Sequence, residues 1–287
     1  MTEEKQALDL QAWVGRERAE RDVATSSQAM ALAATLDRDP EVFRDGAELP
    51  EIWHWIYFRP VAAQRSRLGR DGHERRGDFL PPVEQPRRMW AGGRLNFRRP
   101  IVIGEKIFRT SKITAIEQKT GSAGPLVLVT VQHVISDGTD PCVEEQQDLV
   151  YVGIRESGKL PRQQPPLPPE LDWRESFTPD AVTLFRFSAL TFNGHRIHYD
   201  HPFATGVEGY RGIVVHGPFT ALLLLDAAKR QARRTAASYR YRGLAPLFNE
   251  EPITLAGKSS DDNRETDVWA AGPAGTIAMQ GRVGWRE

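Results

Sequence analysis

Residues Phe187 to Leu224 read FSALTFNGHRIHYDHPFATGVEGYRGIVVHGPFTALLL, and the fold turns on how this stretch is understood. A polar cluster of Asn193, His195, Arg196, His198 and Asp200 sits between two apolar segments, and a second pair, His216 and Gly217, opens the long apolar run that follows. Asp200 with Pro202 behind it makes an N-cap and first-turn pair, which predicts a short helix ending near Gly209. Pro218 to Arg234 starts with a proline, is apolar on most sides early and ends in Lys and Arg. That is the pattern of a buried helix whose dipole is complemented at its C-terminus.

Downstream, Ser238–Leu247, Glu251–Ser259 and Asp267–Gly284 read as strands, the last broken at AGPAG. Upstream, Ala181–Phe187 alternates and is predicted as a strand. Before it, Gly158–Pro169 (GKLPRQQPPLPP) holds five prolines and favours an extended path. This marks a linker over 158–172 between an N-terminal domain, 1–157, and a C-terminal domain, 173–287. Within the first domain Met89–Val150 reads as antiparallel sheet, with strands near Arg94–Arg98, Ile101–Ile103, Ile107–Glu117, Leu126–Ser136 and Glu144–Val150 separated by turn signals such as GSAGP and SDGTDP. Leu8–Leu36 has helical spacing, and Glu51–Arg59 (EIWHWIYFR) is predicted as a buried strand. Leu68–Pro86 reads as a loop whose Arg70, His73, Arg75 and Arg76 suit a phosphate or face solvent. One long buried helix wrapped by a curved antiparallel sheet is an α+β, hot-dog layout.

Composition bounds the partner. The 287 residues, 40 % hydrophobic, suffice for one large domain or two ordinary ones, and 38 basic residues balance 38 acidic ones. No global field draws the chain to nucleic acid or a membrane surface, so a small-molecule partner is expected. The lone Cys142 permits no internal disulfide and no structural zinc site of its own, as in a reducing compartment. The N-terminus, MTEEKQALDLQAW, is charged where a signal peptide is apolar, and the longest apolar runs fall far short of roughly 20 residues. A soluble, unprocessed, cytoplasmic protein is expected. His195, His198 and His201 recur at steps of three, but the predicted change from strand end to helix between them breaks the shared face, and no metal is expected.

FNGHRIH, residues 192–198, resembles the motif G-D-x-N-P-(L/I/V)-H of the MaoC-like (R)-specific enoyl-CoA hydratases, with the final histidine and its spacing intact. IVVHGPFTALLL resembles the IVHGM segment that begins the central hot-dog helix of that family. In the N-terminal half, LQAWVGRERAERDV, WHWIYF, GHERRGDFLPP, RRMWAGGRLNFRRPIVIGE, ISDG and EEQQDLVYV resemble the double hot-dog hydratases that act on mesaconyl-C4-CoA (3-methylfumaryl-CoA) or itaconyl-CoA. The resemblance implies two tandem hot-dog halves with the motif only in the second. It also implies reversible hydration of an enoyl-CoA thioester to citramalyl-CoA, with no cofactor beyond the coenzyme A of the substrate. Monomer and homodimer are both compatible with it.

The resemblance places the site at Asn193, His198 and Gly217. In the family the motif Asp and His hold the water, and the N–H of the glycine after the second histidine faces the oxyanion. His198 can cycle a proton near neutral pH, and an N–H at a helix start is free to donate. Asn193 departs from the family Asp, because an amide holds a water but takes no proton. A carboxylate about 4 Å from a substrate carboxylate would cost on the order of 4 kcal/mol at an effective dielectric near 20, and an amide avoids this. Arg196, where the family has proline, is expected to pair with the substrate's free carboxylate, with Arg186 and Arg211 as further candidates. His216 is read as a substrate-site residue or as an anchor of the turn before the helix. Tyr239, Arg240 and Arg242 either flank the coenzyme A channel or form paired surface. A fatty-acid 3-hydroxyacyl-thioester dehydratase and a non-catalytic acyl-CoA binder are the alternatives.

Overall fold

The computed structural model describes residues 9–60, 64–121, 124–153 and 164–287. Its first half runs β1 (Glu17–Val23), α1 (Ser26–Thr35), the two-residue β2 (Glu48–Leu49), β3 (Arg87–Phe97), β4 (Ile101–Val102), β5 (Lys106–Gly121), β6 (Gly124–Ser136) and β7 (Pro141–Val152). The second runs β8 (Trp173–Phe177), α2 (Ala181–Thr191), α3 (His201–Gly206), α4 (Gly217–Ala232), β9 (Ala236–Gly243), β10 (Ile253–Ser259), β11 (Glu265–Ala271) and β12 (Ile277–Trp285). The small strands β2 and β4 pair with each other, and the other ten form one antiparallel sheet.

Strand order exposes a repeat. From one edge the sheet reads β1-β5-β6-β7-β3, and from the other β8-β10-β11-β12-β9, so the first strand of each half lies outermost and the second lies at the join. This is a tandem hot-dog fold of class α+β. The halves meet through β3 and β9, Gly92 to Asn96 opposite Arg242 to Ser238. The join needs Gly92, because a Cβ there would stand 2.5 Å from the Tyr241 carbonyl oxygen.

The C-terminal sheet wraps α4, in which every residue from Phe219 to Ala228 is buried, as an all-round apolar sequence requires. Its one buried charge, Asp226, pairs with Arg38 at 2.8 Å. The corresponding helix of the first half, α1, spans 10 residues and buries only Ala29, Leu32, Ala33 and Thr35. Under-covered in this way, the N-terminal sheet leaves Val131, His133, Gln147 and Leu149 facing a cleft between the halves.

Three sequence expectations are corrected. Over Leu8–Leu36, of which Leu8 lies outside the described residues, a short turn (Leu10–Trp13) and the edge strand β1 precede α1; Gly15, at φ +88°, ends the turn. Glu51–Arg59 is no strand but a 3-10 turn at Trp53–Ile56, entered through Ile52 at φ 63°. Its bulk is burial, not pairing: His54 Nε2 and Trp55 Nε1 each lie 3.0 Å from the buried Glu145 carboxylate. Ala181–Phe187 begins α2, because Asp180 caps it by accepting from the Thr183 N–H at 2.7 Å and Leu184 and Phe187 turn inward three apart. Of the proline-rich linker, 158–163 lies outside the described residues, and Pro166 bridges to Thr276.

Candidate active site

The motif loop begins where α2 ends. Phe192 turns left-handed (φ 53°), as helix ends commonly do, and the Asn193 N–H donates to the Ser188 carbonyl at 2.8 Å. Asn193 Oδ1 then accepts from the His195 N–H at 3.0 Å, so the amide is already engaged in shaping its own loop. A 3-10 turn, Arg196–His198, delivers the His198 ring to the cleft wall. Its Nδ1–H donates to the Val214 carbonyl at 2.8 Å. A carbonyl can only accept, so the proton sits on Nδ1 and Nε2 keeps its lone pair.

His198 stacks at 3.7 Å on His216, which is fully buried and lies 2.8 Å through Nε2 from Ser188 Oγ. Burial pushes the His198 pKa down to about 4, against the pull of the Val214 bond. His216 shifts the same way, by burial and by the neighbouring His198 and His195 rings. Both rings are neutral at pH 7. Gly217, the first residue of α4, lines the same cleft, and among the described residues no acceptor holds its N–H. The helix N-terminus adds partial positive charge there.

The N-terminal half completes the enclosure. The cleft, about 1790 Å³, is lined by Trp55, His73, Arg88 and Trp90 as well as by Asn193, His195, His198 and Gly217. The loop carrying Asp71 and His73 is sewn onto the motif: the Arg196 N–H donates to the Asp71 carbonyl at 2.9 Å and Arg196 Nη1 to the Arg70 carbonyl at 3.2 Å. Gly72 (φ +91°) meets Gly194 so closely that a Cβ on it would stand 1.9 Å from the Gly194 oxygen. The His73 Nδ1–H donates to Asp71 Oδ2 at 2.9 Å, and the His73 ring lies 4.2 Å from His195, itself 5.4 Å from His198. Burial and the Arg88 charge push His73 down to about 4, partly opposed by Asp71. Burial would raise the Asp71 carboxyl, but the hydrogen bonds and charge of His73 hold it below the usual range.

The three arginines expected at the substrate carboxylate are elsewhere. Arg196 is turned away, bound through Nε and Nη2 to Asp200 Oδ2 at 2.9 and 2.7 Å and laid over Phe203. Arg211 pairs with Glu251 over Phe248, and Arg186 is exposed on α2 outside the cleft lining. Tyr239 is core, with its hydroxyl donating to Ala221 O at 3.1 Å, and neither Arg240 nor Arg242 lines the cleft. His201 is exposed at the start of α3 and does not line the cleft, whereas Asp71, His73 and His195 bring one ligand atom each within 4.8 Å of one another. Sequence reading flagged His73 only as a basic loop residue and passed over Asp71 and Arg88. The DGH triplet at 71–73 was the available signal.

Residues 52–249 match the family model for hydroxyacyl-thioester dehydratase type 2. The chain is 44 % identical over 280 residues to mesaconyl-C(4)-CoA hydratase of Chloroflexus aurantiacus, covering 96 % of this chain and 98 % of that protein. It is 28 % identical to the mitochondrial hydroxyacyl-thioester dehydratase type 2 of Schizosaccharomyces pombe, over 71 % of this chain and 75 % of that one. Among solved structures, a MaoC-like dehydratase from Phytophthora capsici superposes with TM-score 0.73 at 16 % identity, covering 98 % of each chain. A Mycobacterium tuberculosis protein described as a double hot-dog fold gives 0.60 at 12 % identity, over 95 % of this chain and 96 % of that one.

Proposed function

Since the chain belongs to the hydroxyacyl-thioester dehydratase type 2 family, we propose that it hydrates an enoyl-CoA reversibly, with mesaconyl-C4-CoA as substrate and citramalyl-CoA as product. The observation that carries the reading is the pairing, in one cleft, of His198 Nε2, whose lone pair is left free by the Nδ1 bond to Val214, with the Gly217 N–H, which no acceptor among the described residues engages. Water adds at the β carbon as one of its protons passes to His198 Nε2. The C=C pair moves onto the thioester oxygen, where Gly217 N–H at the helix start donates to the developing charge. The imidazolium then returns its proton to the α carbon. The reaction moves only the elements of water, so no cofactor beyond the substrate's own coenzyme A is required.

A diacid substrate suits the remaining residues. Asn193 adds no negative charge beside the substrate's free carboxylate, and Arg88 is a cleft-lining guanidinium with no carboxylate of the described residues in ion-pair range. Arg88 therefore replaces Arg196 as the carboxylate partner in this reading. The same site run backwards would dehydrate a 3-hydroxyacyl thioester, as the name of the yeast relative describes. Purified protein should be assayed on mesaconyl-C4-CoA, itaconyl-CoA, crotonyl-CoA and 3-hydroxybutyryl-CoA. Preference for a diacid supports the first reading; equal or better turnover of the monoacids supports the second. No helix among the described residues is long and apolar enough to cross a membrane.

A further inference from the structure

We propose that the Asp71–His73 pair of the N-terminal half is the second water-handling group of this site, supplying beside Asn193 a carboxylate-backed imidazole. The inference rests on the hydratase reading and adds residues to it. Asn193 cannot take a proton, and one lone pair of its Oδ1 is already committed to the His195 N–H at 3.0 Å. A carboxylate–imidazole pair adds to it. The Asp71 carboxylate accepts from both the His73 N–H (3.1 Å) and the ring Nδ1–H (2.9 Å), which fixes rotamer and tautomer together. His73 lines the cleft, and with Nδ1 engaged its Nε2 is the ring's remaining acceptor.

The placement is built in. The Gly72–Gly194 contact and the Arg196 N–H to Asp71 carbonyl bond clamp this loop onto the hydratase motif, so that His73, His195 and His198 succeed one another along the wall. Arg88 keeps positive potential on His73, which favours the neutral ring and opposes a divalent cation at the same three side chains. In the hydration step His198 Nε2 removes one water proton and the oxygen bonds to the β carbon. His73 Nε2 accepts a hydrogen bond from the proton that the new hydroxyl keeps, aligning the oxygen lone pair. That proton never leaves oxygen, and the atoms balance as in the one-base scheme above. Asp71 is a positioning residue acting through His73.

The test is steady-state kinetics of His73→Ala with and without added imidazole, beside Asp71→Asn and His73→Gln. Loss of the hydrogen bond that aligns the reacting oxygen lowers kcat by about 10²-fold, KM changes little, and imidazole restores at least about tenfold. A kcat within about threefold of wild type in a folded variant overturns the proposal, as does a loss that imidazole leaves untouched. Should His73→Ala fail to fold, His73→Gln keeps the ring's volume and is judged by the same kcat criterion. Activity abolished by a chelator and restored by zinc would assign the three side chains to a metal and overturn it too. A wild-type protein inert on every enoyl-CoA would instead sink the hydratase reading, which separates the two failures.

Discussion

Gly72→Ala tests whether the two halves form one site. Gly72 lies at φ +91°, where an L-residue costs about 1–2 kcal/mol, and its Cβ would meet the Gly194 oxygen at 1.9 Å. Real contacts essentially never fall below 3.0 Å, so the loop must retreat by about 1.1 Å. The same retreat stretches the 2.9 Å bond from Arg196 N–H to the Asp71 carbonyl to about 4 Å, outside hydrogen-bond range, and strains the neighbouring Arg196–Arg70 contact. Two lost hydrogen bonds at about 1 kcal/mol each bring the total to about 3–4 kcal/mol. In a chain of this size that lowers Tm by about 5–10 °C. A 1 Å displacement of His73 from the wall costs up to about 10²-fold in kcat, with the His198 half intact. Thermal melts and hydration kinetics on the variant read both numbers. An unchanged Tm together with kcat within about twofold of wild type would show that the loop is not clamped as described.

His198→Ala should lose about 10²–10⁴-fold in kcat while still binding coenzyme A product, as measured by calorimetry. Asn193→Asp keeps the acceptor for the His195 N–H and so should fold normally, but its hydration of mesaconyl-C4-CoA should fall relative to crotonyl-CoA, by less than the roughly 4 kcal/mol bound of an unscreened pair. His73, His133 and His198 are each pushed down to about 4, so between that value and an unfolded value near 6.5 the unfolded chain binds more protons. Stability should therefore rise with pH from about 4 to 6.5 and level off above, which urea titrations across this range would reveal, and kcat/KM should hold its plateau below pH 6. Arg38→Ala strips the buried Asp226 of its partner and should cost on the order of 3 kcal/mol, largely recovered in a double variant with Asp226→Leu.

The C-terminal half was legible because its signals are local. Asp200 and Pro202 start α3, Pro218 and the Leu222–Leu225 run mark α4, and AGPAG separates β11 from β12. Where packing overrides local preference, reading failed. Trp53–Ile56 has strand composition, but its aromatics find burial on all sides in a turn, and Glu145, 90 residues away, is what holds Trp55. Ala181–Phe187 has both alternation and three-spacing, and only the Asp180 cap separates them. The site was half legible for the same reason. His198 and Gly217 follow from the family resemblance of their own segments, whereas the DGH triplet at 71–73 shows a carboxylate beside an imidazole but not its contact with a motif more than a hundred residues onward.

A hot-dog sheet normally closes on a long helix, and α4 does so with its unbroken run from Phe219 to Ala228. In the first half α1 buries four residues, and the face it leaves bare, from Val131 to Leu149, becomes wall for a cleft of about 1790 Å³. Shortening one helix thus gives up core packing and opens room for an acyl-CoA arm. Because β3 and β9 join the halves as neighbouring strands in one sheet, the same rigid frame that holds Gly217 beside the Trp90 backbone also fixes where Arg88 enters. The motif half can then lose its carboxylate at 193 without losing the function of a second group, provided the other half returns one from across the cleft. A charge at 193 and a clamped Asp71–His73 pair are, on this argument, alternatives, and Asn193→Asp in a His73→Ala background should recover more monoacid hydration than Asn193→Asp adds to the wild type.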